Sequence, residues 1–310
     1  MSELRAWLDG IPSDGLDEHF AGVDAVEIAM MLGAASDAEL KELIADEAIR
    51  AAALGAGFGR FADFAVPEQL ATMNGVVRFV VRRDRGIDET YDAHFGKGTV
   101  EVQPADANDP DVTISTDALT FLRLLSGTAS AALLVLAGTI KVSGDEELAL
   151  RTGGVFRVPG QEGVAVDPTA LDAVQVAGVI AKAKDSHLQN VMRGGFRSVV
   201  LDEIFRRFPE YLDARSARKL KLSACFKIGG GPNDDDRYLV EIDHGKCTIT
   251  PEGDGKRSVT IALGGAEFLK LATGNLNPTI AFMKGKLKVK GDLASALALS
   301  SAVRIPSAKG

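Results

Sequence analysis

The chain has 310 residues, 46% of them hydrophobic, and a formal charge of −8. That length suits two ordinary domains of about 100–200 residues each, and the acidic balance argues against nucleic acid, which needs a basic footprint. Two cysteines, Cys225 and Cys247, fit a reducing compartment, and apolar runs such as Ala129 to Ala137 fall far short of the roughly 20 residues of a membrane span.

The N-terminal stretch MSELRAWLDGIPSDG is charged and lacks an apolar signal core, so a cytoplasmic location is expected. Residues 1–35 read as a helical leader, with Leu16 to Leu32 as one amphipathic helix whose Val23, Val26, Met30 and Leu32 share a face against its own domain. Ser36 and Glu39 form a capping-box signature, and a helix follows through Leu40, Leu43, Ile44 and Ala48. The glycines of Gly55-Ala56-Gly57-Phe58-Gly59 fall inside a second helix; with no strand before them they are no phosphate loop. That helix ends in Phe58, Phe61 and Phe64, with Pro67 marking its stop. Val77, Phe79 and Val81 then alternate with Arg78, Val80 and Arg82, the period of a strand. Residues 36–159 make the first domain, 160–168 a linker, and 169–310 the second domain.

The second domain repeats the first. Phe58, Arg60, Phe61 and Phe64 fall on Phe205, Arg207, Phe208 and Tyr211 at an offset of 147, and Phe79 falls on Phe226. Helices are expected from Thr169 through Lys184 and from Leu188 to Phe208, the latter stopped by Pro209. Gly96-Lys97 and Thr99 match Gly245-Lys246 and Thr248 at an offset of 149, which places two extra residues in the first hairpin of the second copy, at the turn 229–236. From Asp111 the offset returns to 147: Gly127, Gly138, Gly144 and Asp145 fall on Gly274, Gly285, Gly291 and Asp292, and Arg157 and Pro159 on Arg304 and Pro306. Each repeated glycine fixes a turn, and the period is too long for a solenoid unit. The chain is a duplicated domain.

Within 258–300 a strand (Val259 to Ala262), an apolar helix (Phe268 to Leu271), the turn Gly274-Asn275-Leu276-Asn277-Pro278, the strand Gly285-Lys286-Leu287-Lys288 and a Gly291-Asp292 helix start follow one another. This order resembles the C-terminal half of the sterol carrier protein type 2 (sterol-binding) domain. The first copy is a diverged match, with Ser130-Ala131 where Asn277-Pro278 stand. The resemblance implies an α+β fold, each domain a mixed β-sheet covered by helices around an apolar cavity. It further implies a tunnel for a sterol, fatty acid or fatty acyl-CoA, with no catalysis and no cofactor.

Surplus apolar faces mark the candidate lining. In the second copy it is Phe226, Phe268, Leu269, Leu271, Leu276, Ile280, Phe282, Met283, Leu287, Val289 and Leu297; in the first, Phe79, Phe121, Leu122, Leu125, Leu133, Leu136 and Ile140. The same surplus would serve a plain packed core or a homodimer surface. Burial gains about 0.8 kcal/mol per methylene, set against an association cost of about 4–15 kcal/mol, so a long chain binds in a range that allows release. Lys284, Lys286, Lys288 and Lys290 alternate with Leu287 and Val289, a solvated strand face or a contact for anionic headgroups or acyl-CoA phosphates. Peripheral contact with a membrane or with an acyl-CoA enzyme follows from that second use.

Catalytic groupings are sparse. His244 and Cys247 flank a Gly-Lys turn without an orienting third group. His19, His94 and His187 lack paired ligand spacing, and Asp234-Asp235-Asp236 lacks the later glutamate of a calcium loop. Three functions remain open: a lipid carrier, a scaffold whose duplicated fold has a filled core and docks through the leader, and an enzyme using Cys247 and His244.

Overall fold

The computed structural model describes residues 3–83, 87–158, 163–232, 235–251, 253 and 255–305. The chain divides into two compact units, Met1–Asp167 and Pro168–Gly310. The first builds a sheet from β1 (Gly75–Arg82), β2 (Glu89–Gly96), β3 (Thr99–Pro104), β4 (Val112–Asp117) and β5 (Lys141–Gly144). The second uses β6 (Lys221–Gly229), β7 (Asp236–Asp243), β8 (Lys246–Pro251), β9 (Val259–Gly264) and β10 (Leu287–Gly291). The strand orders are the same, β3-β2-β1-β4-β5 and β8-β7-β6-β9-β10, with the central β1–β4 and β6–β9 pairs parallel and the rest antiparallel. Helices complete an α+β fold in each unit, as the sequence leads one to expect.

Strand register repeats without a slip. Phe79 lies opposite Tyr91 and Ile114, and Phe226 opposite Tyr238 and Ile261; Tyr91 faces Pro104 as Tyr238 faces Pro251. Every one of these is 147 residues on, which overturns the two extra residues expected in the second copy's first hairpin. The β2–β3 and β7–β8 hairpins turn on Lys97-Gly98 and His244-Gly245, where Lys97 (φ +52°) and His244 (φ +49°) take the left-handed conformation that such two-residue turns demand. Lys97 therefore corresponds to His244, and the Gly-Lys-x-Thr likeness had aligned positions that are not equivalent. Of the residues the repeat was read from, Pro159 and Pro306 lie outside the described residues, as do Asn233 and Asp234 of the turn 229–236.

After the parallel strand each unit runs through the same three helices: Ala118–Leu125, Ala131–Ala137 and Glu146–Val155, then Gly265–Ala272, Pro278–Met283 and Leu293–Ala302. Ser130 and Asn277 cap the middle helix, and Asp145 and Asp292 the last. Gly144 (φ +100°) and Gly291 (φ +98°) explain why glycine recurs before that last cap. A β-carbon on Gly291 would stand 2.6 Å from the Ser258 carbonyl oxygen, and one on Gly144 would press on that of Asp111.

Ahead of the sheet the helices are shorter than the periodicity suggests. The segment expected as one helix over Leu16 to Leu32 is two, Leu16–Gly22 and Ala25–Ala34, because the Asp24 carboxylate accepts from the Val26 and Glu27 amides and starts a new helix. The Ser36–Glu39 capping box forms in both directions and opens Asp37–Ala45; Asp46 then caps Glu47–Gly59, which contains the glycine run. The helix expected from Thr169 to Lys184 begins with a 3₁₀ turn, Pro168–Ala170, and its α-helical part is Ala173–Lys182. Leu188 to Phe208, expected as one helix, divides into Asp185–Val191 and Phe196–Arg207 around Gly194 and Gly195. The helix ahead of Pro209 does end there, at Arg207, with Pro209 in the first turn of the 3₁₀ segment Phe208–Tyr211, whereas the helix ahead of Pro67 already ends at Gly59 and Pro67 opens the short helix Pro67–Leu70, where a missing N–H is harmless.

Repeated arginines carry the duplication further back than the sequence shows. Arg60 donates to the Val23 and Ala21 carbonyls (2.6 Å each), and Arg207, its match, to those of Leu171 (2.6 Å) and Thr169 (2.5 Å). Arg123 pairs with Asp37, and Lys270, at the position of Arg123, pairs with Asp185. Ala25–Ala34 and Ala173–Lys182 are thus counterparts, so part of the 1–35 segment belongs to the repeat. The stretch before it packs on its own unit: Leu16 and Phe20 cluster with Ala52, and Trp7 lies 4.3 Å from the His19 ring and edge-on to Phe20 at 5.0 Å.

Candidate functional site

Stacked aromatics hold the centre of each unit. Phe58, from the helix before the sheet, stacks on Tyr91 at 4.1 Å and on Phe121 at 4.8 Å; Phe205 stacks on Tyr238 at 3.8 Å and on Phe268 at 5.3 Å. Phe79 and Phe226 complete the two clusters at 5.5 and 5.7 Å. Such contacts add about 0.5–1.5 kcal/mol each beyond area burial. Desolvation and the neighbouring Asp202 carboxylate, which accepts the phenol hydrogen bond at 3.0 Å, push the Tyr238 hydroxyl far above its ordinary pKa.

Beside the first cluster, between sheet and helices, lies a cavity of about 60 Å³ lined by Phe79, Val80, Val81, Ile114, Thr116, Phe121, Leu124 and Ile140. It has room for a few waters and far too little for a long acyl chain. Of the expected lining, Phe79, Phe121 and Ile140 are there. Leu122 is not: it is buried on the opposite side of its helix, with Leu4, Met31, Leu32 and Leu40. Leu125 is half-buried between that group and the aromatic cluster, Leu133 is half-buried and Leu136 buried, and none of the three borders the cavity. Strand alternation from Phe79 marks Val81 as an inward residue, but Ile114 and Thr116 carried no such signal. The Thr116 hydroxyl is buried without a hydrogen-bond partner, and the second unit has Leu263 at the matching place.

In the second unit Phe226, Phe268, Leu269 and Leu287 are buried and Leu271, Leu276 and Val289 half-buried. Four residues expected as lining lie on the outside instead. Ile280 is 45% exposed, Phe282 48%, Met283 73% and Leu297 60%. A six-residue helix buries one narrow face, and in Pro278–Met283 Ala281 occupies it; Leu293–Ala302 buries Leu299 and Ala302 and turns Leu297 outward. Asn277 serves as a cap, while Asn275 reaches the Ala177 carbonyl at 2.9 Å and so ties this turn to the first helix of its unit. The lysines behave as alternation predicts. Lys288 and Lys290 point outward from edge strand β10, and Lys286 meets Glu267 at 3.4 Å.

The polar groupings are structural. His244 sits at the turn and its Nδ1 lies 3.2 Å from the Arg218 carbonyl oxygen. Burial pushes the Cys247 thiol up to about 11, away from the thiolate a nucleophile needs. Asp235 and Asp236 pair with Lys227 (2.7 Å) and Arg197 (2.5 Å). His94 comes within 3.3 Å of Asp106 near Asp92, a grouping that sequence spacing misses. The Asp92 carboxylate is already engaged by Arg78 (2.8 Å twice) and by the Asp106 and Ala107 amides (3.0 and 2.8 Å), so it is no open ligand. Among the described residues no helix is long and apolar enough to cross a membrane.

The family model described as the SCP-2 sterol transfer family matches residues 58–157 and again 201–304, together more than half of the chain. The chain belongs to that family. Both matches begin within the helix before the sheet and run to the end of the last helix, so the SCP-2 unit includes the aromatic cluster and the helix–sheet seam. The chain is 32% identical over 109 residues to Sterol carrier protein 2 of Homo sapiens, a match covering 34% of this chain and 20% of that one. It is 29% identical over 101 residues to Sterol carrier protein 2 of Arabidopsis thaliana, covering 31% of this chain and 82% of that one. The solution structure of the sterol carrier protein domain 2 of Helicoverpa armigera is 27% identical, covering 32% of this chain and 83% of that chain with a TM-score of 0.28. The chain thus matches about a fifth of the length of its human relative.

Proposed function

We propose that this protein is a non-catalytic carrier that takes up one apolar chain of a sterol, fatty acid or fatty acyl-CoA between the sheet and helices of its second unit. The observation that carries the reading is the doubled SCP-2 match over that seam; membership in this family supports lipid binding and transfer in general. The second unit is favoured because Leu263, paired with Leu287 across the sheet, stands where the first leaves the Thr116 hydroxyl unpaired. A ligand enters by displacing Pro278–Met283 and Leu293–Ala302, the two helices that pack on β10. Each methylene transferred gains about 0.8 kcal/mol, which offsets the cost of separating them. The carrier reading takes the cytosol as its location, a compartment with which two free thiols are compatible.

One observation favours a second reading. The aromatic stacks and the small size of the first unit's cavity describe a filled core, as a scaffold would have. Titrating delipidated protein with a fluorescent fatty acid separates the two. Saturable enhancement at one site per chain supports the carrier; no uptake at tens of micromolar supports the scaffold.

A further inference from the structure

Among the described residues four buried side-chain polar atoms have no hydrogen-bond partner, and all are in the first unit: His19 Nε2, Arg50 Nη2, Glu89 Oε2 and Thr116 Oγ1. Three of these residues meet along one row of the sheet. Val81 of β1 pairs with Glu89 of β2 on one side and with Thr116 of β4 on the other. Directly paired residues project from the same face, and this face lies under the helices, because Val81 packs with Leu54, Phe58 and Phe121. Arg50 reaches the row from the helix Glu47–Gly59, its Nε donating to Glu89 at 2.9 Å.

The second unit closes the same row. Ile228 stands for Val81, Asp236 for Glu89 and Leu263 for Thr116. Arg197 there donates through Nη2 to the Ile228 carbonyl and through Nη1 to that of Met192, both at 2.6 Å. One methyl group accounts for the difference. A β-carbon on Gly265 would stand 2.7 Å from Arg197 Nη1, and the first unit has Ala118 at that place. The Arg50 guanidinium is held off the Val81 carbonyl, and its Nη2 stays open.

A void adjoins this row. The cavity of about 60 Å³ is bounded by Val81 and Thr116 at the row and by Phe79, Ile114, Leu124 and Ile140 beyond it. Thr116 is 5% exposed, so its hydroxyl has no water from outside to turn to. One hydroxyl among apolar walls is a poor seat for an internal water, which needs about two to four polar partners. It suits a molecule with one oxygen at one end and a short apolar body. Charge argues against an acid: Glu89 already meets the Arg50 cation, and a carboxylate buried near the open Glu89 oxygen would be uncompensated. An alcohol hydroxyl both donates and accepts, and so can pair with Thr116 in either sense.

We propose that the first unit binds a small neutral alcohol of about two or three carbons, its hydroxyl on Thr116 and its carbons against Phe79, Ile114 and Ile140. The site is separate from the acyl site proposed for the second unit and stands without it.

The test follows the Ile114 and Ile140 methyl groups by NMR in isoleucine-labelled, full-length protein, with 1-propanol and, separately, xenon as probes. 1-Propanol should shift both signals saturably, with a dissociation constant in the millimolar range expected of so small a ligand. Thr116→Val keeps the shape and removes the hydroxyl; it should weaken 1-propanol about fivefold, the factor one hydrogen bond supplies, and leave xenon binding intact. Thr116→Ser, which keeps the hydroxyl, should stay within about twofold of the parent protein. Fatty-acid binding should be the same in all three proteins, and a protein that takes up no fatty acid would still show these shifts, so the two readings fail separately. Absence of a saturable 1-propanol shift in the parent protein, equal affinity in Thr116→Val, or a Thr116→Ser protein as weak as Thr116→Val would overturn the proposal.

Discussion

Arg197 and Asp236 form an ion pair at 2.5 Å, and Arg50 and Glu89 repeat it at 2.9 Å, 147 residues earlier. Both arginines are buried, and each also satisfies the carbonyl that ends a helix–helix connection, Met192 for Arg197 and Ile44 for Arg50. The guanidinium is thus the peg between the helices and the start of the second strand in each unit. Arg197→Met should lower stability by about 3 kcal/mol, because it strands the Met192 and Ile228 carbonyls as well as the acid. Asp236→Asn should cost only about 1 kcal/mol, its carboxylate being partly in water. Urea unfolding of the two variants checks the order.

Gly291→Ala places a methyl group against the Ser258 carbonyl in a left-handed backbone and should destabilise by about 2–4 kcal/mol. Gly285→Ala, at φ +70° with open space around it, should cost about 1 kcal/mol. Thermal melts of the pair separate close approach from backbone conformation alone.

The Arg78 hydrogen bond holds the Asp92 carboxyl below the ordinary carboxylate range, with the Ala107 and Asp106 amides acting in the same sense against burial. A depressed folded value means the stabilisation is complete above the unfolded value and is lost as pH falls through the folded one, here below about pH 4. Acid unfolding should therefore be less steep for Asp92→Asn, which is already weakened at neutral pH by about 3 kcal/mol. Circular dichroism between pH 2 and 7 gives both quantities.

With its thiol pushed up to about 11, Cys247 should react with iodoacetamide at pH 7.5 about a hundredfold more slowly than a cysteine at its ordinary value. Cys247→Ser should leave fatty-acid binding intact. An activity lost on that change would revive a catalytic role.

Leu124 and Leu271 occupy the same place in the two units, and only the first borders the small cavity. Leu271→Trp should fill the proposed acyl site and weaken fatty-acid binding about tenfold or more, whereas Leu124→Trp should change it less than about twofold. Titration of each variant with a fluorescent fatty acid measures both.

Repeated glycines made the duplication legible, because Gly127, Gly138 and Gly144 and their counterparts all take positive φ and tolerate little else. The leading helices were hidden by a one-residue change of offset. Asp37 and Asp185 are 148 apart while their partners Arg123 and Lys270 are 147 apart, so an alignment without gaps misses them. In the hairpins, matching letters misled where backbone conformation decides: Lys97 and His244 share a φ, not a side chain. The site was legible as an apolar region and not as a lining. A short run such as Ile280 to Met283 has no period long enough to say which face is inward, and the structure turns Phe282 and Met283 out.

The central claim is that the chain carries a lipid. Native mass spectrometry of the purified protein, before and after incubation with fatty acids, acyl-CoA and sterols and followed by extraction of any bound species, tests it most directly. The carrier account predicts one added mass per chain, released by organic solvent and diminished in Leu271→Trp. A bare polypeptide mass under every loading condition would contradict it.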